Sequence, residues 1–481
     1  MATTRLVETV SADTMASLVA ARDAATAVDM VELRLDGVAD LDVGRALRGR
    51  RLPVIATCRP AWEGGRFSAS EEERRRVLHD ALAAGADFVD VEWRAGFSDV
   101  IDAAPSRIVL SSHDFDDAPA DLRGQATAMR QRGAAVIKIA VKASRLCDAL
   151  PLLEIARGGD AVVIAMGDAG VTSRLLAAKF GSRWTYAGDA VAPGQISSAR
   201  MIGEFRFRAI GRDTALYGVV GNNATYSRSP AMHNAAFEAA GLDAAYVPLV
   251  PSNFDDFLVY ADAIGLRGAS VTVPFKLDAL RATRRADPLT RAVGAANTLR
   301  RIDERDGGGW EAINTDVEGF LGPLDKVYPT ALRGARASVV GAGGASRAVV
   351  VGLISRGARV TVHARRPEQA AEVAAACGAE AGVWPPAAGS WDLLVNCTPV
   401  GGPSSRDRSP LPGGRFGGTL VYDLTYGASE SPLLRDARAA GCLTLDGRPM
   451  LLGQAARRFE WWTGQRPAAG VMEEAAVRSC D

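Results

Sequence analysis

The sequence predicts an α/β protein: an N-terminal (β/α)8 TIM barrel followed by an α/β substrate-binding domain and a Rossmann-type dinucleotide-binding domain. Eight short apolar runs alternate with helical segments before residue 188, and this alternation favours a parallel barrel. A second series of strands and helices starts near residue 215, and a glycine-rich turn follows a strand near residue 340. A length of 481 residues corresponds to two to four domains.

The composition is that of an ordinary globular protein without net charge. Hydrophobic residues make up 48% and charged residues 23%, and the acidic and basic counts are equal at 56 each. This balance favours small-molecule substrates over nucleic acid or an anionic membrane. The six cysteines form no Cys-x-x-Cys pair and do not cluster with the four histidines, which predicts a reduced protein without a metal site.

The expected location is the cytoplasm. The N-terminus lacks a hydrophobic signal core, and no apolar run approaches the ~18 residues of a membrane span. The sequence leaves the oligomeric state open.

The eight apolar runs are expected to form the barrel strands. They lie at residues 6–10, 28–34, 54–59, 88–92, 108–113, 136–140, 161–167 and 184–187. In this fold the chemistry takes place at the carboxyl ends of the strands. The predicted barrel domain covers residues 1–212, so its helices and loops should be short.

Lys138 is the first candidate for covalent chemistry. It interrupts an apolar run at residues 134–141, where a lone ammonium group is costly to bury unless it is paired or neutral. Burial without a full partner lowers the pKa of a lysine and frees its amine to attack a carbonyl carbon. The alternative is a structural ion pair inside the barrel.

Glu92, His113 and Lys138 lie on the fourth, fifth and sixth predicted strands. Neighbouring strands are about 4.8 Å apart, so the three side chains can converge. The lysine would form an imine, the histidine would move a proton, and the glutamate would orient the imidazole. The pattern indicates either an elimination or an aldol cleavage. Taken alone, His113 is as typical of a structural histidine as of a catalytic base.

Other polar residues at the strand ends are candidates for holding a substrate. Arg174 and Gln195 follow the last two strands and suit a carboxylate. Their alternative roles are a surface salt bridge and a turn amide.

Six ordered motifs resemble type I 3-dehydroquinate dehydratase. They are Glu-Leu-Arg at 32–34, Thr-x-Arg at 57–59, Asp-Val-Glu at 90–92, Ser-His-Asp at 112–114, Ile-Lys-Ile at 137–139 and Ala-Pro-Gly-Gln at 192–195. The resemblance implies a Schiff base on Lys138, with His113 as base and then acid in the loss of water, and Glu92 orienting His113. It also implies substrate contacts by Glu32, Arg34, Arg59, Arg174 and Gln195. Val191 stands where this family usually has serine.

The glycine turn of the second half predicts a dinucleotide site. Gly341, Gly343 and Gly344 follow a strand and open a helix, which suits a pyrophosphate, although a plain strand-to-helix turn has the same pattern. The next strand, at 359–363, is followed by Arg365 and Arg366 rather than by an acidic residue. Two arginines suit a 2′-phosphate, so NADP(H) is expected rather than NAD(H).

Two further groups precede this turn. Ser227 and Ser229 offer two hydroxyls to a small polyol acid. Lys276 and Asp316 could donate a proton to a carbonyl oxygen as hydride arrives. Singly, that lysine and aspartate are more typical of a surface cation and a helix N-cap.

The second half resembles shikimate dehydrogenase over residues 215–475. The motifs are Ser-x-Ser-Pro-x-x-His-Asn, Val-Thr-Val-Pro-Phe-Lys, Gly-Ala-x-Asn-Thr, Asn-Thr-Asp, Gly-Ala-Gly-Gly-Ala, Asn-Cys-Thr-Pro-Val-Gly, Asp-Leu-Thr-Tyr and Gly-x-x-Met-Leu-x-x-Gln. The resemblance implies that Lys276 and Asp316 are the catalytic pair. It implies substrate contacts by Ser227, Ser229, Thr272, Asn297, Tyr426 and Gln454. It implies cofactor contacts by Gly341, Ala342, Gly343, Gly344, Ala345, Arg365, Arg366, Thr398 and Gly447.

The two resemblances together predict a bifunctional enzyme, because the product of the first reaction is the substrate of the second. The expected domains are 1–212 for the dehydratase, 215–332 with 447–481 for the substrate domain, and 333–446 for the NADP-binding domain. Three alternatives remain at this point: a fused quinate dehydrogenase, a regulator that keeps both folds, and, for the barrel alone, a lysine-dependent aldolase. Tyr226, which stands where the second family commonly has histidine, and Val191 are the departures on which the regulator alternative depends.

Overall fold

The computed structural model describes residues 4–188, 194–328, 330–402, 405–414, 416–427 and 429–478. The chain divides into two compact units. The first comprises Met1–Gly218, Asn223–Pro230 and Asp243–Leu266, and the second comprises Val219–Asn222, Ala231–Leu242 and Arg267–Asp481. Two segments from beyond residue 215 therefore group with the barrel, and the predicted domain limits stay predictions.

Eight parallel strands in the first unit form a nearly closed barrel, as predicted. They are β1 (Arg5–Ser11), β2 (Met30–Arg34), β3 (Val54–Thr57), β4 (Phe88–Glu92), β5 (Ile108–Asp114), β6 (Val136–Lys142), β7 (Ala161–Met166) and β8 (Trp184–Ala187). Their order in the sheet is β7-β6-β5-β4-β3-β2-β1-β8. Between the two end strands, the backbone N–H of Arg183 donates to the carbonyl of Ala161 at 2.9 Å. Nearly every residue of β3, β6 and β7 is buried, which explains their continuous apolar sequences.

The helices of the barrel are short, as its length predicts. They are α1 (Met15–Ala24), α2 (Val43–Leu47), α3 (Glu71–Ala83), α4 (Ser98–Ala103), α5 (Leu122–Arg130), α6 (Leu150–Ala156), α7 (Val171–Leu175), α8 (Ala177–Phe180) and α9 (Ser198–Gly203). The longest of them, α3, begins with a capping box in which Ser70 and Glu73 each accept a hydrogen bond from the backbone of the other.

The inner face of the barrel has an apolar layer and a polar layer. The apolar layer includes Val7, Met30, Ile55 and Val136. The residues two positions further along the same strands are buried and polar: Thr9, Glu32, Thr57 and Lys138. Because side chains on a strand alternate between its faces, residues two apart share the inner face at successive heights. The polar layer is therefore the one nearer the carboxyl ends, where a barrel active site is expected.

The middle of the chain forms mixed α/β structure. Its elements are β9 (Ala215–Val220), α10 (Ser229–Ala239), β10 (Ala244–Leu249), α11 (Phe254–Ile264), β11 (Leu266–Val271), α12 (Lys276–Arg281), β12 (Arg285–Ala286), α13 (Pro288–Val293), β13 (Thr298–Arg301), β14 (Trp310–Ile313) and α14 (Asp316–Val327). Strand β13 pairs antiparallel with both β11 and β14. Strands β13 and β14 were not predicted.

The last part of the second unit is a six-stranded parallel sheet with helices, in agreement with the predicted Rossmann-type architecture. Its elements are β15 (Arg336–Val340), α15 (Gly344–Ser355), β16 (Arg359–His363), α16 (Pro367–Cys377), β17 (Glu380–Gly382), β18 (Leu393–Asn396), β19 (Leu420–Asp423), α17 (Pro432–Ala439), β20 (Leu443–Leu445), α18 (Arg448–Thr463) and α19 (Val471–Arg478). The strand order is β17-β16-β15-β18-β19-β20, which is the Rossmann order 3-2-1-4-5-6. A dinucleotide is expected where that order reverses, at the carboxyl end of β15.

No helix within the described residues is long and apolar enough to cross a membrane. Residues 401–418 contain no α-helix or strand among those that the structure describes. The five cysteines in the described part of the chain are free thiols.

Candidate active sites

The first site is a cavity of about 90 Å³ at the carboxyl ends of the barrel strands. Seven of the eight predicted dehydratase residues line this cavity: Glu32, Arg34, Arg59, His113, Lys138, Arg174 and Gln195. Glu92 is the exception. Val191, Ala192 and Pro193 lie outside the described residues, so the structure describes neither the departure at Val191 nor the first half of its motif.

Lys138 is buried but paired. Its Nζ lies 3.1 Å from Oε1 of Glu32, 3.3 Å from Oδ2 of Asp90 and 4.3 Å from the ring centroid of Tyr186. Burial by itself lowers the pKa of Lys138, but the two carboxylates outweigh burial and raise that pKa above its ordinary value. The prediction of a lowered pKa for Lys138 is therefore wrong. The side chain is an ammonium group, which must lose a proton before it can attack a carbonyl carbon.

His113 faces Glu63, a residue that the sequence analysis did not select. Its Nδ1 is 2.9 Å from Oε1 of Glu63, and the same oxygen accepts the backbone N–H of His113 at 2.9 Å. Burial, together with the nearby cations Arg59 and Lys138, holds the pKa of His113 well below its usual value. The imidazole is therefore neutral at neutral pH and able to accept a proton.

Glu92 does not contact His113, contrary to the predicted orienting role. One carboxylate oxygen of Glu92 accepts from Arg59 at 2.8 Å, and the other pairs with Arg74. The strand register explains the difference, because Glu92 is level with Ser111, two residues before His113. At about 3.3 Å per residue, Glu92 lies roughly 7 Å too low along the barrel to orient the imidazole. Glu63 reaches His113 from the turn after β3 instead.

The pKa of Glu63 is raised to about 7, chiefly by burial, while Arg59 partly opposes this rise. Glu63 therefore changes charge near neutral pH, next to the histidine that it contacts. The strand pattern could not have found this residue, because it lies in a turn. The available signal was its spacing of four residues from Arg59.

Arg59 organises the carboxylates beneath the site. It is buried, and it lies 2.9 Å from Asp90, 2.8 Å from Glu92 and 3.8 Å from Glu63, while it donates to Ser111 at 2.7 Å. Its predicted contact with substrate must compete with these bonds. Asp90 was also missed as a site residue.

The other two arginines of the site have different surroundings. Arg34 pairs with Asp36 at 2.8 Å. Arg174 is 2% exposed and donates to the carbonyl of Ala165 at 3.4 Å. Burial lowers the pKa of Arg174 to about 10, so a bound anion would stabilise its charge.

The second site, in the second compact unit, is centred on Lys276 and Asp316. Lys276 begins α12, Asp316 begins α14, and their Nζ and Oδ2 atoms are 2.5 Å apart. The backbone N–H of Asp316 donates to Oδ1 of Asn314 at 3.0 Å, which fixes the start of α14. The structure thus brings together the two residues predicted to be the catalytic pair.

Asn297 and Gln454 lie close together in the same unit. Nδ2 of Asn297 is 3.4 Å from Oε1 of Gln454, and Oδ1 of Asn297 accepts from the backbone N–H of Thr315 at 2.9 Å. Thr315 directly precedes Asp316. Two of the predicted substrate-binding amides are therefore held beside the start of α14.

The remaining predicted substrate contacts lie on other elements. Thr272 follows β11, and Tyr426 lines a cavity of about 440 Å³ after β19. Ser227 and Ser229 belong to the first compact unit, where Oγ of Ser227 accepts from the backbone N–H of Ser229 at 3.2 Å. Tyr226 beside them is exposed.

The glycine turn between β15 and α15 fits a dinucleotide. Gly341 has φ of +112°, and a Cβ there would lie 3.1 Å from Cγ2 of Thr398. A Cβ on Gly344 would lie 2.9 Å from Cδ of Lys276, so the turn passes directly against this lysine. Ala342, Gly343 and Ala345 complete this segment, in which Oγ of the buried Ser346 accepts from the backbone N–H of Gly343 at 3.2 Å.

Arg365 and Arg366 follow β16 directly, at the place where Rossmann proteins bind the adenosine ribose. Both are exposed, and neither forms an ion pair with another described residue. Gly447 directly precedes α18, and a Cβ there would lie 2.2 Å from the carbonyl oxygen of Leu424. The residues present therefore fit a phosphorylated dinucleotide.

The comparisons with known proteins agree with the presence of two different sites in the chain. Residues 6–211 match the family model of type I 3-dehydroquinase. Residues 219–299 match the shikimate dehydrogenase substrate binding domain, and residues 447–477 match the shikimate 5'-dehydrogenase C-terminal domain. The fold and the matches define an enzyme of two parts, a lyase barrel joined to an NADP-dependent dehydrogenase.

Relatives that combine or separate these parts were found. A chloroplastic bifunctional 3-dehydroquinate dehydratase/shikimate dehydrogenase of Arabidopsis thaliana is 32% identical over 91% of this chain and 78% of the relative. The chain belongs to the family of bifunctional 3-dehydroquinate dehydratase/shikimate dehydrogenases. An NADP(+)-dependent shikimate dehydrogenase of Anaeromyxobacter dehalogenans is 44% identical over 52% of this chain and 92% of the relative. The crystal structure of shikimate dehydrogenase from Aquifex aeolicus is 31% identical, with a TM-score of 0.50 over 56% of this chain and 99% of that chain.

Proposed function

We propose that this chain dehydrates 3-dehydroquinate to 3-dehydroshikimate and then reduces that product to shikimate with NADPH. The observation that carries the proposal is the presence, in one chain, of two lysine-centred sites of different chemistry. Lys138 lies among carboxylates in a barrel cavity beside His113, and Lys276 lies against Asp316 and the glycine turn.

In the dehydration, Lys138 attacks the substrate ketone and forms an imine, with loss of water from the carbinolamine. Glu32 lies within hydrogen-bonding distance to accept the ammonium proton beforehand. His113 removes a proton next to the imine carbon and returns it to the departing hydroxyl, which leaves as water. Hydrolysis of the imine then frees Lys138 and the unsaturated ketone. Glu63 orients His113 and stabilises the imidazolium that forms.

In the reduction, Lys276 donates a proton to the carbonyl oxygen of the substrate. Asp316, whose Oδ2 lies 2.5 Å from Nζ of Lys276, holds that group in place. NADPH, when bound, supplies the hydride. The glycine turn would hold its pyrophosphate, and Arg365 and Arg366 would hold its 2′-phosphate.

One incubation tests both steps. The protein is mixed with 3-dehydroquinate and NADPH, and the enone absorbance and the NADPH absorbance are followed together. We expect the enone to form and NADPH to be consumed afterwards. The proposal fails for dehydration if no enone forms, and for reduction if added 3-dehydroshikimate does not consume NADPH.

The same assay separates the alternatives left open by the sequence. Faster turnover of quinate with NAD than of shikimate with NADP would identify a quinate dehydrogenase, and absence of both activities would favour a regulator. The exposed pair Arg365 and Arg366 supports NADP. The cytoplasmic location stays a prediction, whereas the Arabidopsis relative is a chloroplastic protein.

A further inference from the structure

Helix α7 carries Arg174 into the dehydration cavity, yet it is only five residues long. A helix of that length has little stability of its own, so its position depends on its contacts. All five of its residues are buried. Three consecutive ones, Thr172, Ser173 and Arg174, have polar side chains, and the partners of these side chains determine where the helix lies.

Ser173 ties α7 to the barrel. Its Oγ donates to the carbonyl of Gly170 at 2.7 Å and accepts the backbone N–H of Ala165, near the end of β7, at 3.0 Å. Arg174 donates to the carbonyl of the same alanine. These bonds fix one side of the helix against the strand that leads into it.

Thr172 ties α7 to a segment outside the barrel. Its Oγ1 lies 2.6 Å from the hydroxyl of Tyr260, and both side chains are buried. Tyr260 belongs to α11, in the segment Asp243–Leu266 that forms one compact unit with the barrel. The family match assigns that segment to the shikimate dehydrogenase substrate binding domain.

A second residue of α11 forms hydrogen bonds with the barrel segment that follows β6. The carboxylate of Asp256 accepts the backbone N–H groups of Leu146 and Cys147, each at 3.0 Å. These two residues follow β6, the strand that carries Lys138. One helix, α11, thus contacts the segments that follow two neighbouring barrel strands, β6 and β7.

We propose that Tyr260 is a positioning residue for the dehydration reaction, acting through Thr172 to hold Arg174 where it binds the substrate carboxylate. The inference rests on the proposed dehydratase function. It makes the affinity of the barrel for 3-dehydroquinate depend on a side chain from the part of the chain assigned to the second activity. Tyr260 itself does not touch substrate.

The test is Tyr260→Phe in the full chain, with Thr172→Val as the reciprocal change. Each removes one hydroxyl of the same buried hydrogen bond. We expect KM for 3-dehydroquinate to rise about fivefold, the effect of losing one such bond, while kcat stays within about twofold. Reduction of 3-dehydroshikimate by NADPH should keep its wild-type rate. The double variant should show the same KM as either single variant.

Two controls distinguish positioning from general damage. Thr172→Ser keeps the hydroxyl and should keep the wild-type KM. Tyr422→Phe removes a buried tyrosine hydroxyl of the second unit and should leave the dehydration KM unchanged. An unchanged KM in Tyr260→Phe overturns the inference, and so does an equal loss of both activities with a lowered unfolding temperature. If the wild-type chain does not dehydrate 3-dehydroquinate, it is the proposed function that fails.

Discussion

The buried Lys138 is stabilised as a charged group in the barrel without substrate. Glu32 and Asp90 lie within 3.1 and 3.3 Å of its amine, so the ammonium group is stabilised rather than neutralised. The cost of burying the charge is offset by these partners. Substrate must therefore disturb this ion pair for the imine to form.

Replacement of Lys138 by alanine should abolish the dehydration and spare the reduction. We expect dehydration to fall by more than about 1,000-fold, because the residue that forms the covalent bond is gone. Borohydride added with 3-dehydroquinate should label wild-type protein at this lysine alone, as shown by mass spectrometry. Lys142→Ala, an exposed lysine at the end of the same strand, is the matched control and should keep both the label and the activity. Labelling at Lys276, or full dehydration by Lys138→Ala, would contradict the assignment.

The pair of His113 and Glu63 should set the pH dependence of the dehydration. The pKa of Glu63 lies at about 7, and its ionised form stabilises the imidazolium that His113 becomes on accepting a proton. The rate should therefore rise as pH increases through 7, and Glu63→Gln should lower kcat and remove this rise. The measurement is kcat against pH for wild type, Glu63→Gln and Glu92→Gln. The orienting role would have to return to Glu92 if only Glu92→Gln removed the rise.

At the scale of elements, the glycine turn before α15 and Lys276, the proposed proton donor of the reduction, lie against each other. Gly344 begins α15, and the position its Cβ would take is 2.9 Å from Cδ of Lys276. A single turn thus faces the expected dinucleotide on one side and the proton donor on the other.

A methyl group at this turn should impair the reduction. We expect Gly344→Ala to lower kcat/KM for 3-dehydroshikimate about tenfold or more, because Lys276 must move away from Asp316. Gly352→Ala is a matched change in the same helix, where the nearest atom would be at an ordinary 3.4 Å. Steady-state kinetics of both variants, together with a dehydration assay as an internal check of folding, decide the point. Equal rates for the two variants would show that the lysine adapts to the added methyl group.

The sequence was most informative about elements with continuous apolar runs. All eight barrel strands and four of the six Rossmann strands were predicted, because buried parallel strands are apolar on both faces; the three-residue strands β17 and β20 were not predicted. Strands β13 and β14 were missed, since each has only four residues and carries charged side chains. The alternation of side chains also placed Glu92 on the correct face but not at the correct height, which is set by the strand register. Glu63 lies in a turn, where no such periodicity applies.

At the scale of the whole molecule, the residues of the barrel chemistry and the catalytic pair of the reduction belong to different compact units. Lys138 and His113 lie in the first, and Lys276 and Asp316 lie in the second. Inactivation of one pair leaves the groups of the other in place.

A mixture of two singly inactivated chains should therefore complete the overall conversion. We expect Lys138→Ala and the double variant Lys276→Ala Asp316→Ala, each unable to convert 3-dehydroquinate to shikimate alone, to do so together, with 3-dehydroshikimate passing through solution. NADPH loss in the mixture, compared with each variant alone, is the measurement. If each variant keeps its remaining partial activity but the mixture consumes no NADPH, release of the intermediate is excluded.

The division into compact units also bears on how such a chain can be taken apart. The backbone passes from one unit to the other after residues 218, 222, 230, 242 and 266. A gene cut between residues 212 and 215, at the predicted domain boundary, would therefore give an N-terminal product that lacks part of the first unit. The C-terminal product would carry residues that belong to the first unit. The barrel expressed alone would lose the hydrogen bonds that join Thr172 to Tyr260, and Leu146 and Cys147 to Asp256.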